Sequence, residues 1–246
     1  MNGKNIFLTG ASRGIGAVLA LELASSGNTV GCFSRKGMGP ESVAIPNDLR
    51  DRLVFLKGDV TDPSSIAAAL ESFSAKVGSI HGLINNAGIQ LEAPSARQAL
   101  SEFSEVVQTN VIGTFSACQQ AYPYLEGHGG LIINVGSFFD KMGVRRNAAY
   151  SASKAAIAAM GRCLAVEWAA KGIRVITVAP GYIETDLNKE FLQSEKVKNF
   201  LASRIPVGGP GKAKDVAALI TMLFREQMDY FTGETIYLDG GQGVAL

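Results

Sequence analysis

Seven short apolar runs, separated by longer segments with apolar residues at helical spacing, limit the possible fold more than any other feature. The runs cover residues 5–9, 29–33, 53–57, 82–85, 131–135, 174–179 and 235–238. They are rich in Val and Ile and lack strict alternation, which is typical of parallel strands covered on both faces. Predicted helices cover residues 15–25, 64–77, 101–125, 152–170 and 215–224. The sequence therefore predicts an α/β fold, a doubly wound parallel sheet between two layers of helices.

The domain organisation follows from the absence of any internal break. The 246 residues contain no Pro/Ser-rich linker, repeat or low-complexity tract, which predicts a single domain over residues 1–246. Residues 186–212 differ, because a helix-like middle (191–201) is followed by a stretch rich in Pro and Gly. This pattern predicts a mobile flap over a site, with an inert surface excursion as the alternative.

Composition excludes several classes of function. The chain has 23 Lys and Arg against 22 Asp and Glu, and no basic run that would indicate a nucleic-acid binder. Its apolar stretches are too short for a membrane span, and the N-terminus lacks the features of a secretory signal. Cys32, Cys118 and Cys163 are widely spaced in apolar segments, which predicts core thiols rather than a disulfide or metal frame. We therefore expect a cytoplasmic protein without a metal site.

A glycine-rich turn follows the first predicted strand and opens the first predicted helix. It reads Thr9, Gly10, Ala11, Ser12, Arg13, Gly14, Ile15, Gly16. Glycines allow a tight turn and close approach of a pyrophosphate to the N–H groups at the start of a helix. The turn lacks the Lys-Ser/Thr pair of a P-loop. It predicts a dinucleotide site, with a purely structural turn as the alternative.

The end of the second predicted strand indicates which dinucleotide is preferred. NAD sites place an acid there to bind the ribose hydroxyls, whereas this chain has Ser34, Arg35 and Lys36. Arg35 can pair with a 2′-phosphate bidentately, and Arg13 is placed to reach the same group. These residues predict NADP(H) rather than NAD(H), with solvated surface cations as the alternative.

Tyr150 and Lys154 complete a series of motifs that runs along nearly the whole chain. The series consists of the turn at residues 9–16, Asp59-Val60, residues 85–88 (Asn-Asn-Ala-Gly), Asn110, Ser137, the Tyr150/Lys154 pair and Pro180-Gly181. In this order and spacing the chain resembles the short-chain dehydrogenase/reductases, and within them most closely the 3-oxoacyl-(acyl-carrier-protein) reductase-like members.

The resemblance implies a Rossmann domain that carries cofactor and active site together, hydride transfer to or from a nicotinamide, and a homotetramer. It also implies contacts to three parts of the cofactor. Asp59 and Val60 would hold the adenine, while Asn86, Ala87 and Gly88 would line the adenine-side ribose region. Pro180, Gly181, Ile183 and Thr185 would lie at the nicotinamide end, the last two at the carboxamide.

The chemistry of Tyr150 and Lys154 agrees with this function. Reduction of a ketone requires a proton at the oxygen as hydride reaches the carbon, and a Tyr hydroxyl can donate it. A residue four positions away shares a helix face, so we expect Lys154 to lower the pKa of Tyr150 and to bind the nicotinamide ribose. Ser137 would hydrogen-bond the substrate oxygen, and Asn110 would connect Lys154 to a proton path through water. We therefore predict four catalytic residues: Asn110, Ser137, Tyr150 and Lys154.

Competing functions remain at this stage. A serine hydrolase is excluded because Ser137 lies in Val-Gly-Ser-Phe-Phe and neither His81 nor His128 has partner spacing. Two alternatives stay open: a nucleotide-sensing Rossmann protein without turnover, and an NAD-dependent sugar, polyol or steroid dehydrogenase.

The substrate is predicted only by class. A docking site for an acyl carrier protein is doubtful, because Lys171 is the only cation near the place where the relatives carry basic residues. A free ketone or alcohol is at least as well supported. Phe138 and Phe139, followed by Arg145 and Arg146, suggest a partly apolar substrate with an anionic group, with subunit or solvent contacts as the alternative.

Overall fold

The computed structural model describes residues 3–186 and 188–245, without the side chains of residues 191 and 193. Seven parallel strands form the main sheet: β1 (Asn5–Thr9), β2 (Thr29–Ser34), β3 (Leu53–Lys57), β4 (Gly82–Asn85), β5 (Gly130–Val135), β6 (Ile173–Pro180) and β9 (Thr235–Leu238). A separate pair consists of β7 (Ile183–Glu184) and β8 (Gly211–Lys212). The order in the main sheet is β3-β2-β1-β4-β5-β6-β9. The predicted doubly wound sheet is confirmed.

Helices cover both faces of this sheet. They are α1 (Gly14–Ser25), α2 (Pro63–Val77), α3 (Leu100–Val107), α4 (Gly113–Leu125), α5 (Ala148–Trp168), α6 (Lys189–Gln193), α7 (Glu195–Arg204) and α8 (Ala213–Arg225). The side chains of α1 and α8 form one apolar core with the strands, and those of α2, α4 and α5 form the other. Along β1, Ile6 and Leu8 enter the first core and Phe7 the second, because successive residues of a strand point to opposite faces. The fold is a three-layer, single-domain Rossmann architecture.

The predicted helix over residues 101–125 is wrong in its middle. A π-helical turn, Gln108–Ile112, separates α3 from α4. Asn110 lies in this turn with its side chain fully buried and bonded to neighbouring elements. Single π turns inside α-helices occur frequently at functional sites, and their spacing is not visible in an apolar periodicity.

The segment predicted as a flap contains two helices instead of one. The helices α6 and α7 are separated at Ser194, whose backbone is extended (φ −60°, ψ 128°). Leu192, Leu201 and Ile205 form a small apolar cluster that is distinct from the two main cores. Residue 187 of the predicted flap lies outside the described residues.

The cysteines match the prediction only in part. Cys32 and Cys118 are buried free thiols, but Cys163 is exposed, so its assignment to the core is wrong. It lies on the outer face of α5, as does Val166, which is 82% exposed. Within the described ranges, none of the helices is long and apolar enough to cross a membrane.

Candidate active site

The carboxyl ends of β1, β4, β5 and β6 meet at one edge of the main sheet, and most of the predicted site residues follow these ends. The glycine turn follows β1, residues 86–88 follow β4, Ser137 follows β5, and Pro180-Gly181 ends β6. In such a sheet the ligand crevice lies outside the carboxyl ends where the strand order reverses, here between β1 and β4. The topology therefore brings these motifs to one crevice.

Two positions of the glycine turn are packed too closely to hold a side chain. Gly10 has a left-handed backbone (φ +69°), and a Cβ atom there would lie 2.8 Å from the Cα atom of Ala87. A Cβ at Gly16 would lie 2.1 Å from the carbonyl oxygen of Gly10. These two positions require glycine, and the helix α1 can therefore begin directly at the crevice.

The loop after β4 braces this turn. The hydroxyl of Thr9 accepts hydrogen bonds from the N–H groups of Asn86 and Ala87, both at 3.1 Å. The side-chain amide of Asn86 donates to the carbonyl oxygen of Gly10 at 3.0 Å. Asn86 and Ala87, expected at the ribose of a cofactor, thus hold the shape of the glycine turn in this structure.

An anion already lies at the start of α1. The N–H of Gly14, the first residue of the helix, donates to a carboxylate oxygen of Asp186 at 3.0 Å. The helix has no acidic residue in its first turn and no side-chain cap at Arg13. Helix N-termini stabilise negative charge, and Asp186 supplies it from across the crevice. This role of Asp186 was not predicted from the sequence, where the only indication is that Arg13 is a poor capping residue for α1.

A basic cavity of about 140 Å³ adjoins the glycine turn. It is lined by Ser12, Arg13, Arg35, Lys36 and Glu41. The structure therefore brings the predicted phosphate ligands Arg13 and Arg35 together. Ser34 is not among the lining residues, because its hydroxyl donates to the carbonyl oxygen of Met38 at 3.0 Å. Glu41 was missed in the sequence, since only the return of the loop after β2 places it here.

Tyr150 and Lys154 lie one turn apart on α5, and Tyr150 hydrogen-bonds Ser137. The ammonium nitrogen of Lys154 lies 5.4 Å from the centre of the Tyr150 ring and donates to the carbonyl oxygen of Val135 at 2.7 Å. Lys154 and Ser137 are only 5% and 6% exposed. The structure thus brings three of the four predicted catalytic side chains together.

Burial controls the ionisation of this pair. It raises the pKa of Tyr150 to about 12, although a hydrogen bond with Ser137 acts in the opposite direction. It lowers the pKa of Lys154 to about 8. The pKa of Tyr150 is therefore raised overall in this structure and not lowered as expected, because loss of solvation is the largest effect on it. At neutral pH the Tyr150 hydroxyl is protonated and can donate a proton.

Asn110 connects the elements around this pair. Its side-chain amide donates to the carbonyl oxygen of Ile89 at 2.9 Å and to the hydroxyl of Ser153 at 3.0 Å, and its oxygen accepts from the N–H of Ile89 at 2.8 Å. A Cβ atom built on Gly88 would contact both the Asn110 oxygen and, more distantly, the Lys154 nitrogen. Asn110 thus ties the loop after β4 to the residue next to Lys154.

Aromatic rings form one wall of the crevice. The ring of Phe139 packs edge-on against Tyr150 with centres 5.6 Å apart, and Phe138 packs against Tyr182 at 5.2 Å. Phe138 and Phe139 are almost fully buried. This aromatic wall (Phe138, Phe139, Tyr150 and Tyr182) packs as one cluster, in which the two tyrosines are partly exposed.

The remaining predicted cofactor contacts are mostly buried or hydrogen-bonded to neighbouring residues. Val60 is 8% exposed and packs in the core, while the Asp59 carboxylate accepts hydrogen bonds from the N–H and hydroxyl of Thr61 at 2.9 Å. Ile183 is buried in β7, and the N–H of Thr185 donates to the side chain of Asn188 at 2.8 Å.

Arg145 and Arg146 lie exposed in the segment that precedes α5. Arg146 has a left-handed backbone (φ +67°), the only such non-glycine residue in the described part of the chain. Its carbonyl oxygen accepts from the N–H of Ala93 at 3.0 Å, which fixes the segment against the loop after β4.

The two histidines do not reach this site. His81 immediately precedes β4, at the opposite edge of the sheet, and its ring lies 5.8 Å from that of His128. Burial lowers the pKa of His81, which accepts a hydrogen bond from the N–H of Asn5.

Comparison with known proteins agrees with this geometry. Residues 10–242 match the family model described as enoyl-(acyl carrier protein) reductase. A 3-oxoacyl-[acyl-carrier-protein] reductase from Thermotoga maritima is 35% identical, with 98% of both chains covered. A 3beta-hydroxysteroid dehydrogenase from Eggerthella lenta is 31% identical over 98% of this chain and 94% of its own length.

Solved structures are similar over the whole chain. A gluconate 5-dehydrogenase from Burkholderia cenocepacia in complex with NADP and tartrate superimposes with a TM-score of 0.91 at 29% identity, covering 100% of this chain and 97% of the other. A 3-ketoacyl-(acyl-carrier-protein) reductase from Brucella melitensis complexed with NADH gives a TM-score of 0.89 at 28% identity, with 99% of both chains covered. The chain is therefore a member of the short-chain dehydrogenase/reductase family of oxidoreductases.

Proposed function

We propose that this protein is an NADPH-dependent carbonyl reductase that can also run in reverse as an alcohol dehydrogenase. The observation that carries the proposal is the half-buried Tyr150, which hydrogen-bonds Ser137 and lies beside Lys154 at the crevice of a dinucleotide-binding fold. A solved relative with bound NADP supports the cofactor class, and one with NADH leaves the preference to be tested.

The residues present fit a dinucleotide. Gly10 and Gly16 leave no room for side chains in the glycine turn, and the carboxylate of Asp186 lies where a phosphate oxygen would meet the N–H of Gly14. The basic cavity would hold a 2′-phosphate through Arg13 and Arg35. A bound nicotinamide would supply the hydride.

The side chains then handle the proton. Tyr150 donates its proton to the substrate oxygen as negative charge develops there, and Ser137 hydrogen-bonds the same oxygen. Lys154, largely protonated at neutral pH with a pKa of about 8, stabilises the phenolate that remains on Tyr150. At neutral pH Tyr150 is protonated, which is the form that reduction requires, whereas oxidation of an alcohol requires the phenolate. Asn110 positions the loop after β4 against α5.

We propose a free ketone with an apolar body as substrate. The aromatic wall supports this class, and the exposed Arg145 and Arg146 offer a place for an anionic group. An acyl carrier protein is less well supported, because Lys171 is the only cation at the expected docking place. Residues 186–212, which have their own apolar cluster, would act as a flap over the substrate.

The proposed assembly is a homotetramer. Ile112 and Phe115 are 47% and 44% exposed, and Val166 on α5 is 82% exposed, so apolar side chains are available on these helices for contact with a second copy. Light scattering during size-exclusion chromatography measures the mass of the assembly.

The function is tested by the oxidation of NADPH and of NADH with free apolar ketones, keto acids and acyl thioesters. We expect turnover of free ketones with NADPH, and a loss of about 100-fold or more in kcat for Tyr150→Phe. Tyr182→Phe removes a hydroxyl from the same aromatic wall and serves as the matched control. A wild-type rate in Tyr150→Phe would refute the mechanism, and NADPH binding without turnover of any substrate would favour the nucleotide-sensing alternative.

A further inference from the structure

Glu41 is held inside the basic cavity by the course of the loop after β2. The loop turns at Gly37, which has a left-handed backbone (φ +65°), and the N–H of Gly37 donates to the carbonyl oxygen of Ser34 at 3.0 Å. The N–H of Glu41 then donates to the carbonyl oxygen of Ser12 at 2.8 Å. This last bond attaches the loop to the glycine turn and places a carboxylate beside Arg13 and Arg35.

The carboxylate changes the charge that the cavity offers to a ligand. Its oxygen lies 3.2 Å from the ammonium nitrogen of Lys36, and it is the less exposed partner, 27% against 70%. Lys36 is therefore already paired, and the cavity combines three cations with one anion. A nucleotide that enters it meets Glu41 as well as the arginines.

We propose that Glu41 sets how strongly this enzyme selects NADPH over NADH. The inference rests on the proposed cofactor site and deepens it. A 2′-phosphate carries a charge close to −2 at neutral pH and is repelled by the carboxylate, whereas a 2′-hydroxyl can donate a hydrogen bond to it. Glu41 thus weakens the binding of NADPH and strengthens the binding of NADH. Because selectivity is the difference between two affinities, a single residue with opposite effects has a large influence on it.

The test compares Glu41→Gln with the wild-type enzyme and with Glu226→Gln. Glu226 also forms a surface ion pair, with Arg225 at 2.7 Å, so the control removes the same charge and the same kind of contact away from the cavity. Dissociation constants for NADPH, NADH, adenosine 2′,5′-bisphosphate and AMP are measured by calorimetry, and kcat/KM with each cofactor follows from initial rates. The two adenosine nucleotides report on the cavity independently of turnover.

We expect Glu41→Gln to raise the NADPH/NADH ratio of affinities by about tenfold, from tighter NADPH and weaker NADH binding. Adenosine 2′,5′-bisphosphate should bind more tightly while AMP does not, and Glu226→Gln should behave as wild type. Equal effects on both cofactors, or an unchanged ratio, would overturn the proposal.

The test also separates this proposal from the proposed function. If the wild-type enzyme prefers NADH and Glu41→Gln shifts its preference towards NADPH, the proposed role of Glu41 is supported and the proposed NADPH preference is refuted. If the wild-type enzyme binds neither dinucleotide, both are refuted.

Discussion

Asp186 and a dinucleotide pyrophosphate compete for the same N–H group, which gives a quantitative prediction for Asp186→Asn. The carboxylate accepts from Gly14 at the start of α1, the place where the fold would bind a phosphate. The protein must release this contact before the cofactor can occupy the site. Removing the charge should therefore lower the stability of the cofactor-free enzyme against unfolding and raise its affinity for the cofactor.

The magnitude follows from the position of the contact. A negative charge at an exposed helix N-terminus contributes about 0.3–1 kcal/mol, and Asp186 is exposed. Since the contact exists only in the free enzyme, the same free energy appears twice. It is lost from the stability of the free enzyme and gained in the affinity for the dinucleotide, roughly a two- to fivefold lower Kd. The gain should be the same for NADPH and NADH, because the pyrophosphate is common to both.

The assay measures Kd for both cofactors by calorimetry, together with thermal unfolding of the free enzyme. We expect the melting temperature of Asp186→Asn to fall by about 1–3 °C. Asp186→Ala, which also removes the acceptor, should have an equal or larger effect, and Asp51→Asn, another exposed Asp far from the crevice, is the control. Unchanged or weaker binding of both cofactors by Asp186→Asn would show that the carboxylate does not compete with the phosphates.

Substitutions at two further positions, Lys154 and Arg146, test the electrostatics and the backbone near Tyr150. Burial lowers the pKa of Lys154 from 10.5 to about 8, so the native state binds fewer protons than the unfolded state between these pH values and its stability rises with pH there. Lys154→Met should therefore abolish turnover but raise the free energy of unfolding by about 1–3 kcal/mol at pH 7, and this gain in stability should largely disappear near pH 10. Urea unfolding of both proteins at the two pH values measures the difference. A difference that does not change with pH would contradict the reasoning. Arg146→Gly should be about 1 kcal/mol more stable than Arg146→Ala in thermal unfolding, because only glycine adopts φ +67° without strain. Both Arg146 variants should lower kcat/KM for keto acids alone, and equal losses for neutral ketones would refute the anion-binding role.

Most of the sheet could be predicted because its strands are buried on both faces. A run such as residues 5–9 has three consecutive apolar residues at its centre, and its predicted bounds are those of β1. The same holds for the glycine turn, whose side-chain-free positions are dictated by a local collision between Gly16 and Gly10. Constraints of this kind involve neighbouring residues and can therefore be predicted from a short stretch of the sequence.

Features that depend on distant contacts could not be predicted. The π turn at Asn110 is stabilised by Ile89 and Ser153, which belong to other elements. Asp186 lies far along the chain from Gly14, and Glu41 reaches the cavity only because its loop returns to Ser12. The raised pKa of Tyr150 likewise reflects the complete packing around it, whereas the spacing to Lys154 indicated only the nearby cation.

Asp186 and Glu41 place carboxylates at the two positions where the phosphates of NADPH are expected, and a double variant distinguishes their roles. Asp186 contacts the N–H of Gly14, while Glu41 pairs with Lys36, and the two acids share no partner. Effects at sites without shared partners add in free energy. For NADPH, the gain in affinity of Glu41→Gln combined with Asp186→Asn should therefore equal the product of the two single gains. For NADH, the gain from Asp186→Asn should be offset by the loss from Glu41→Gln. Calorimetry on the wild type, the two single variants and the double variant gives one double-mutant cycle for NADPH and one for NADH. An interaction free energy above about 0.5 kcal/mol for NADPH would mean that the two carboxylates act on one shared site.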